Sequence, residues 1–336
     1  MPVAQVRDVA ARAGVSPATV SNALNHPTKV SPTTLARIQA AIDELGYIRN
    51  DAARQLRAGT NRAVGMIVLD IANPFFTDVA RGVEDVLLGE QRPLIMGNSA
   101  QEPRRETNYL DLFEQQRMSG VLITPAGDVL DRLRRLRDRG TSVVLVDRMT
   151  RAKEFSSVSI DDRMGGRIAT EHLLEIGRRR IAFIGGPANL AQVNNRLAAA
   201  RKGVETHGSG EIVLVETETM NAEAGRTGVE QLLALPARRR PDAVFAANDL
   251  VALGVLQALT LRGVRVPDDI AIVGYDDIDF ASSAAIPLTS VRQPASDMGS
   301  TAASLLLGVI ADPEASKVRH VTLKPELVVR RSTSGT

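Results

Sequence analysis

Residues 6–25 read VRDVAARAGVSPATVSNALN. Val6, Val9, Ala10 and Ala13 recur at helical spacing, which predicts a short amphipathic helix over residues 6–13. Gly14 follows at once, where the chain can take a positive φ and stop the helix. Ser16 then stands where a second helix needs an N-cap, and Pro17 where the first turn needs no amide donor. In that second helix Val20, Ala23 and Leu24 share one face, while Thr19, Ser21 and Asn22 fall largely elsewhere. Two short helices about a tight glycine turn, the second presenting small polar residues, form a helix-turn-helix that can enter a DNA major groove. A helical hairpin that merely packs has the same spacing, so the rest of the chain must separate the two.

Working outward, a third helix is marked by Ser31 as cap, Pro32 at its start, the apolar face Leu35, Ile38, Ile42 and Leu45, and Gly46 at its end. Next comes YIRNDAARQLRAGT, residues 47–60. Asn50 can cap one helix from Asp51 to about Arg57, which Gly59 breaks. So short a helix is marginal alone and is expected to fold only when something packs against it. Residues 1–60 carry seven Lys/Arg against four Asp/Glu, so the overall charge of +2 leaves the remainder at −1. The small positive excess therefore sits where nucleic acid would be met.

With 336 residues, 44% of them hydrophobic, the chain can bury at least one large core and is neither disordered nor collagen-like. There are no cysteines, which excludes disulfides, zinc fingers and thiol chemistry. No apolar run approaches the roughly 18 residues of a membrane span, and no signal-peptide core is evident. The expectation is a soluble, cytoplasmic protein with no membrane partner.

From Asn61 the pattern becomes alternating strand and helix. Apolar, β-branched runs at 64–70, 93–99, 120–125, 142–147 and 158–160 are followed by a second series at 181–186, 212–216, 242–248 and 270–276. Helical segments separate them, among them 76–88, 104–117, 163–176, 222–235 and 249–262. Such alternation predicts parallel, doubly wound sheets with helices on both faces. Two series imply two similar halves with a cleft between them. In such folds ligands bind beyond the carboxyl ends of strands. Those positions hold Asn73, Pro74, Phe75 and Phe76; Asp147 and Arg148; Asn248 and Asp249; Asp276 and Asp277. Rings that cover a C–H face, beside Asp, Asn and Arg that meet hydroxyls, equip a site for a polyol. Plainer roles compete. Asn248 or Asp249 can cap a helix, and at least one of Phe75 and Phe76 is expected in the core. The basic runs Arg132–Arg139, Arg178–Arg180 and Arg238–Arg240 read as solvated faces rather than DNA patches. The four His lack metal-ligand spacing, and no catalytic triad, P-loop or GxGxxG is present, so neither catalysis, a metal nor a cofactor is expected.

The head motif, the following VSPTTLARIQAAIDELGYIRN and the tether NDAARQL resemble the headpiece and hinge of the LacI/GalR family of bacterial repressors. NPFF, VDR, RRRIAFIGGP, NNRL, FAANDLVALG and VGYDD resemble that family's effector domain, which is similar to periplasmic sugar-binding proteins. The resemblance implies that Pro17, Ala18 and Asn22 face base edges, with Ser16, Thr19, Ser21, Asn25 and Lys29 at or near the backbone. It further implies that Asn50 opens the hinge helix, Ala53 lies in the minor groove and Leu56 wedges between base steps. Phe75, Asp147, Arg148, Arg196, Asn248 and Asp276 would line the effector pocket. Two departures stand out: Arg49 replaces the usual proline before the hinge, and Arg196 is followed by Leu197, Ala198, Ala199 and Ala200 where the family usually reads RLxGF.

After Pro294 one more helix, about 295–310, precedes VTLKPELVVRRST and a polar tail without leucine heptads, which favours a plain homodimer on a pseudo-palindromic operator. The expected organisation is a three-helix head over 1–49 and a hinge over 50–60. A first subdomain follows over 61–160 and 293–320, and a second over 161–292 and 321–333. The expected function is a sequence-specific repressor on double-stranded DNA, controlled by a small molecule such as a sugar. A sugar-binding protein without regulatory role, or a corepressor-dependent regulator answering to a non-sugar metabolite, are the alternatives.

Overall fold

The computed structural model describes residues 4–47, 61–148, 150 and 153–334. The chain divides into two compact units, residues 1–60 and 61–336. The hinge helix expected from Asp51, with Arg49 before it, lies outside the described residues.

The first unit holds α1 (Val6–Ala13), α2 (Pro17–Asn25), a 3-10 turn at Pro27–Lys29 and α3 (Pro32–Leu45). Gly14 and Gly46 close α1 and α3 with φ of 65° and 57°, where any Cβ would be strained. Ser16 and Ser31 cap the next helices by accepting from the amides of Thr19 and Thr34. One cap escaped the sequence reading: Gln5 and Asp8 form a reciprocal box at the start of α1. Val9, Ala10, Ala13, Val20, Ala23, Ile38, Ala41 and Tyr47 form the core.

The second unit contains two six-stranded sheets. The first uses β1 (Asn61–Val68), β2 (Leu94–Asn98), β3 (Met118–Ile123), β4 (Ser142–Val146), β5 (Ser156–Ile160) and β11 (His320–Leu323), in the order β11-β5-β4-β3-β1-β2 and all parallel. The second uses β6 (Arg180–Gly185), β7 (Glu211–Glu216), β8 (Ala243–Ala246), β9 (Ala271–Asp276), β10 (Thr289–Arg292) and β12 (Glu326–Val328), in the order β12-β10-β9-β8-β6-β7, with only β12 antiparallel. Helices α4 (Pro74–Gly89), α5 (Pro103–Gln115), α6 (Leu130–Asp138), α7 (Asp162–Glu175), α8 (Ala191–His207), α9 (Ala222–Leu233), α10 (Asp249–Leu261), α11 (Asp279–Ser283) and α12 (Ala295–Ala311) connect the strands, and α13 (Arg331–Ser334) follows β12. The doubly wound reading holds, twice over.

The polypeptide crosses between the sheets after β5, after β10 and after β11. The last crossing corrects an expected boundary. Val321–Leu323 pair with β5 of the first sheet rather than joining the second. Pro325 has no amide to donate to a ladder, so the chain leaves the first sheet at Lys324–Pro325. Three strands, β10, β11 and β12, and helices α6, α8, α11 and α13 were not read from the sequence. Most arginines of the run 132–139 engage carboxylates, Arg132 with Asp111 and Glu114, and Arg134 with Asp131 and Glu154. That accords with a solvated face. Phe183 and Phe245 meet edge-to-face at 5.3 Å inside the second sheet's core, both fully buried. Phe245→Ala should therefore cost about 3–5 kcal/mol of stability, read as a lower midpoint in urea unfolding.

Candidate functional site

In the head, Ser16, Pro17, Ala18, Asn22, Asn25 and Lys29 are exposed, and Thr19 and Ser21 are half-buried. Val20 and Ala23 anchor α2 to the core, so the opposite face is turned outward with its small polar groups. Not every group there is equally free. Ser16 Oγ accepts from the Thr19 amide at 3.1 Å, and Asn25 Nδ2 donates to the Ser21 carbonyl at 2.8 Å. Pro17 and Ala18 offer shape but no hydrogen bond. Asn50, Ala53 and Leu56 lie outside the described residues.

In the second unit the carboxyl ends of both sheets meet around Arg196. This guanidinium, on α8 and 3% exposed, donates from Nε to Asp162 at 2.8 Å and from an Nη to the Ala247 carbonyl at 2.7 Å. Its plane lies 3.6 Å from the centroid of the Tyr275 ring. The Ala198–Ala200 departure does not prevent this reach. Gly166 of α7 packs directly on the Arg196 backbone and the Ala199 methyl, where a Cβ would collide, so the two helices approach closely and Asp162 stays within range. Burial opposes the charge of Arg196, but Asp162, Tyr275, Asp276 and Asp147 hold it protonated. Asp162 is itself pushed upward, because burial outweighs the guanidinium it faces.

Two carboxylates approach from opposite sides of the cleft. Asp147 follows β4 with φ of 51°. From the other subdomain, Gln192 of α8 donates to its carbonyl and to Oδ2, each at 2.9 Å, while Oδ1 is buried without a partner. Asp276 ends β9 with φ of 112° and accepts from Asn73 of the first subdomain at 2.8 Å and from Gln293 of the second crossover at 2.6 Å. Asn189 adds a third bridge to the Ala126 carbonyl, at 3.3 Å. Phe75 is buried, edge-to-face with the equally buried Phe76 at 5.0 Å, and lines with Asp276 an open cavity of about 350 Å³.

Asp147, Arg196 and Asp276 are thus brought together, and Phe75 shares a cavity with Asp276. Arg148 is half-buried and its charge acts on Glu106 of α5. Asn248 caps α10 through the Val251 amide and donates to the Met220 carbonyl, so both its polar atoms serve its own subdomain. Asp162, Gln192, Tyr275 and Gln293 were not identified from the sequence. Asp162 and Gln293 sit beside crossovers, and Gln192 lies four residues before Arg196 on the same helix face.

Residues 5–50 match the bacterial regulatory proteins of the lacI family, and residues 170–333 match the periplasmic binding protein-like domain. The chain is 37% identical to the ribose operon repressor of Bacillus subtilis, over 92% of both chains. It is 32% identical to the HTH-type transcriptional repressor PurR of Aliivibrio fischeri, over 99% of both. The structure of a lac repressor dimer bound to operator and the anti-inducer ONPF is similar with a TM-score of 0.82 and 26% identity, over 98% of this chain and 99% of that one. These relatives are repressors of transcription, not enzymes.

The cleft also carries a pH signature. Burial first, then neighbouring carboxylates, raises Asp147 from its usual 3.8 to about 7, against the pull of Arg196 and Gln192. Burial likewise raises Asp276 to about 6, against Arg196, Asn73 and Gln293. Between these values and 3.8 the folded protein binds more protons than the unfolded chain, so this contribution to stability is full at low pH and is lost as pH rises through 6 to 7. Asp147→Asn/Asp276→Asn, which mimics the protonated pair, should gain on the wild type in melting temperature from pH 5 to pH 7.5; parallel curves would exclude this. The chain belongs to the LacI family and is a DNA-binding transcriptional repressor with a helix-turn-helix head.

Proposed function

We propose that this repressor responds to a small uncharged polyol, a sugar, held between the two subdomains. The supporting observation is the set of buried carboxylates from both subdomains around one guanidinium: Asp147, Asp162 and Asp276 with Arg196. Carboxylates are strong acceptors and suit a ligand rich in hydroxyl donors. One cation among three acids disfavours a phosphate or carboxylate ligand. A purine, which the PurR name raises, would want an open ring face. Tyr275 already presents its face to Arg196, and Phe75 is packed against Phe76.

On this reading the protein acts in the bacterial cytoplasm, at the chromosome. A homodimer sets two heads on a pseudo-palindromic operator. Asn22, with Pro17 and Ala18, meets base edges. Ser16, Thr19, Ser21, Asn25 and Lys29 meet or approach phosphate, and the sequence-derived roles of Asn50, Ala53 and Leu56 belong to the hinge. Effector and operator binding are linked reciprocally, so a ligand that prefers one cleft geometry changes operator affinity by the same factor.

The test is a thermal-shift screen of sugars, beginning with D-ribose because a relative represses a ribose operon, with purines and sugar phosphates alongside. A sugar should raise the melting temperature, and operator shifts with and without it then give the sign, inducer or corepressor. A shift from a purine or a phosphate alone would overturn the polyol reading. Asp276→Ala should abolish the sugar response while sparing operator binding. In the head, Asn22→Ala should cost about 1–3 kcal/mol against the preferred operator and relax base choice. Lys29→Ala should weaken all duplexes alike and flatten the salt dependence by about one phosphate contact, both read by fluorescence anisotropy.

A further inference from the structure

Asp276 and Asp277 follow one another with φ of 112° and 58°. Two consecutive non-glycine residues at positive φ persist only where their surroundings over-determine them. Here the determinants gather on Asp277, whose carboxylate is 4% exposed. Arg292 donates to its Oδ2 at 2.7 Å and Arg330 to its Oδ1 at 2.5 Å. The Asp277 amide donates to Ser290 Oγ at 3.1 Å, and the next amide, that of Ile278, donates to Asp249 at 3.0 Å.

One of these arginines stands at a crossover and the other follows the second sheet's last strand. Arg292 ends β10, directly before Gln293, and Arg330 follows β12. Arg292 also donates to Glu326 at 2.9 Å, the first residue beyond the third crossing, and Arg330 donates to the Leu288 carbonyl at 2.8 Å. The dipeptide therefore faces two ways. Asp276 reaches into the cleft, to Asn73 and Gln293, while Asp277 grips the end of β10 before the second crossover and the segment after β12.

We propose that Asp277 is a positioning residue for effector recognition: paired with Arg292 and Arg330, it holds the strained turn that presents the Asp276 carboxylate to the cleft and ties that turn to the second crossover and to the segment after β12. The proposal rests on the effector reading of the cleft. It assigns Asp277 no contact with effector; its action runs through the position of Asp276. Because Arg292 directly precedes the second crossover, Asp277 ties the acceptor Asp276 to that crossover.

The experiment uses the full-length protein and Asp277→Asn. Asparagine tolerates positive φ, so the substitution removes the two ion pairs and leaves the backbone preference in place. Without any sugar, amide hydrogen exchange over 274–279 and 290–296 should quicken at least tenfold, while the interior of α10 stays unchanged. With D-ribose as probe, the calorimetric Kd should rise at least tenfold at a temperature well below unfolding, and operator affinity without sugar should stay within threefold. Arg330→Met should act in the same direction, and the double variant should be no worse than the stronger single one. A uniform fall in melting temperature with unchanged exchange at the turn would overturn the proposal, as would strictly additive effects of the two substitutions. If the wild type binds neither D-ribose nor another sugar, yet Asp277→Asn loosens the turn, the clamp on Asp276 stands and the effector reading falls.

Discussion

A guanidinium that cannot give up its proton, buried at 3% exposure, constrains everything around the cleft. Its charge must be met inside the protein, since an unpaired buried ion costs far more than a fold can spare. Asp162 supplies the countercharge, the Ala247 carbonyl takes a second N–H, and the Tyr275 ring covers one face. Each partner comes from a different element: the first crossover, the end of β8 and β9. Arg196 therefore fixes how α7, α8 and the second sheet sit together. The close packing of Gly166 on the Arg196 backbone is what allows the reach. The pair is weak evidence for stability as such; it specifies where the remaining donor edge of the guanidinium can point.

The same constraint explains the carboxylates. Asp147 and Asp276 are buried beside Asp162, so three acids share one cation, and burial raises all three. Such an arrangement is unfavourable for folding at neutral pH and is retained only where donors can be brought to it. In this structure the donors are amides reaching across the cleft, Gln192 to Asp147 and Asn73 to Asp276. Hydroxyl groups of a ligand would satisfy the same lone pairs, including the partnerless Oδ1 of Asp147. The charge balance and the amide bridges across the cleft are the features on which the proposal of an uncharged, donor-rich ligand rests.

Much of this was legible in the sequence because the signals were local. Ser16, Ser31, Gly14 and Gly46 announce helix ends through chemistry confined to a few residues, and they hold in the structure. Seven of the nine strands read from apolar runs are buried along nearly their whole length, and the edge strands β2 and β7, though partly exposed, carry enough Leu, Ile and Val to show. The missed strands β10, β11 and β12 are short, and the last two are partly exposed, so they lack that run; their pairing is fixed by distant partners such as β5. Among the site residues, Asp147 and Asp276 declared themselves by position at strand ends. Asp162 and Gln192 did not, because each acts on a partner from another element, Asp162 on Arg196 and Gln192 on Asp147. Asn248 illustrates the converse: a strand-end asparagine whose cap, readable from its place before α10, takes up its polar atoms.

On the effector reading proposed above, linkage between cleft and operator is limited by what the effector can gain over the contacts already present. An effector hydroxyl that meets Asp276 or Asp147 from the side of an existing amide replaces one charge-assisted hydrogen bond with another. Each such bond has a net value of about 1.5–3 kcal/mol, and the difference between two of them is smaller still. Only a donor that reaches the unpaired Oδ1 of Asp147 adds a bond without removing one. A ligand can shift a two-state equilibrium only by its differential affinity for the two states. The shift in operator binding should therefore fall in the usual range for such coupling, about 1–3 kcal/mol. It should depend more on the hydroxyl that meets Asp147 than on those that displace amides. If the effector is a sugar, as proposed, an epimer that leaves that buried oxygen unmet should lose part of the coupling even where its contacts to Asp276 are kept.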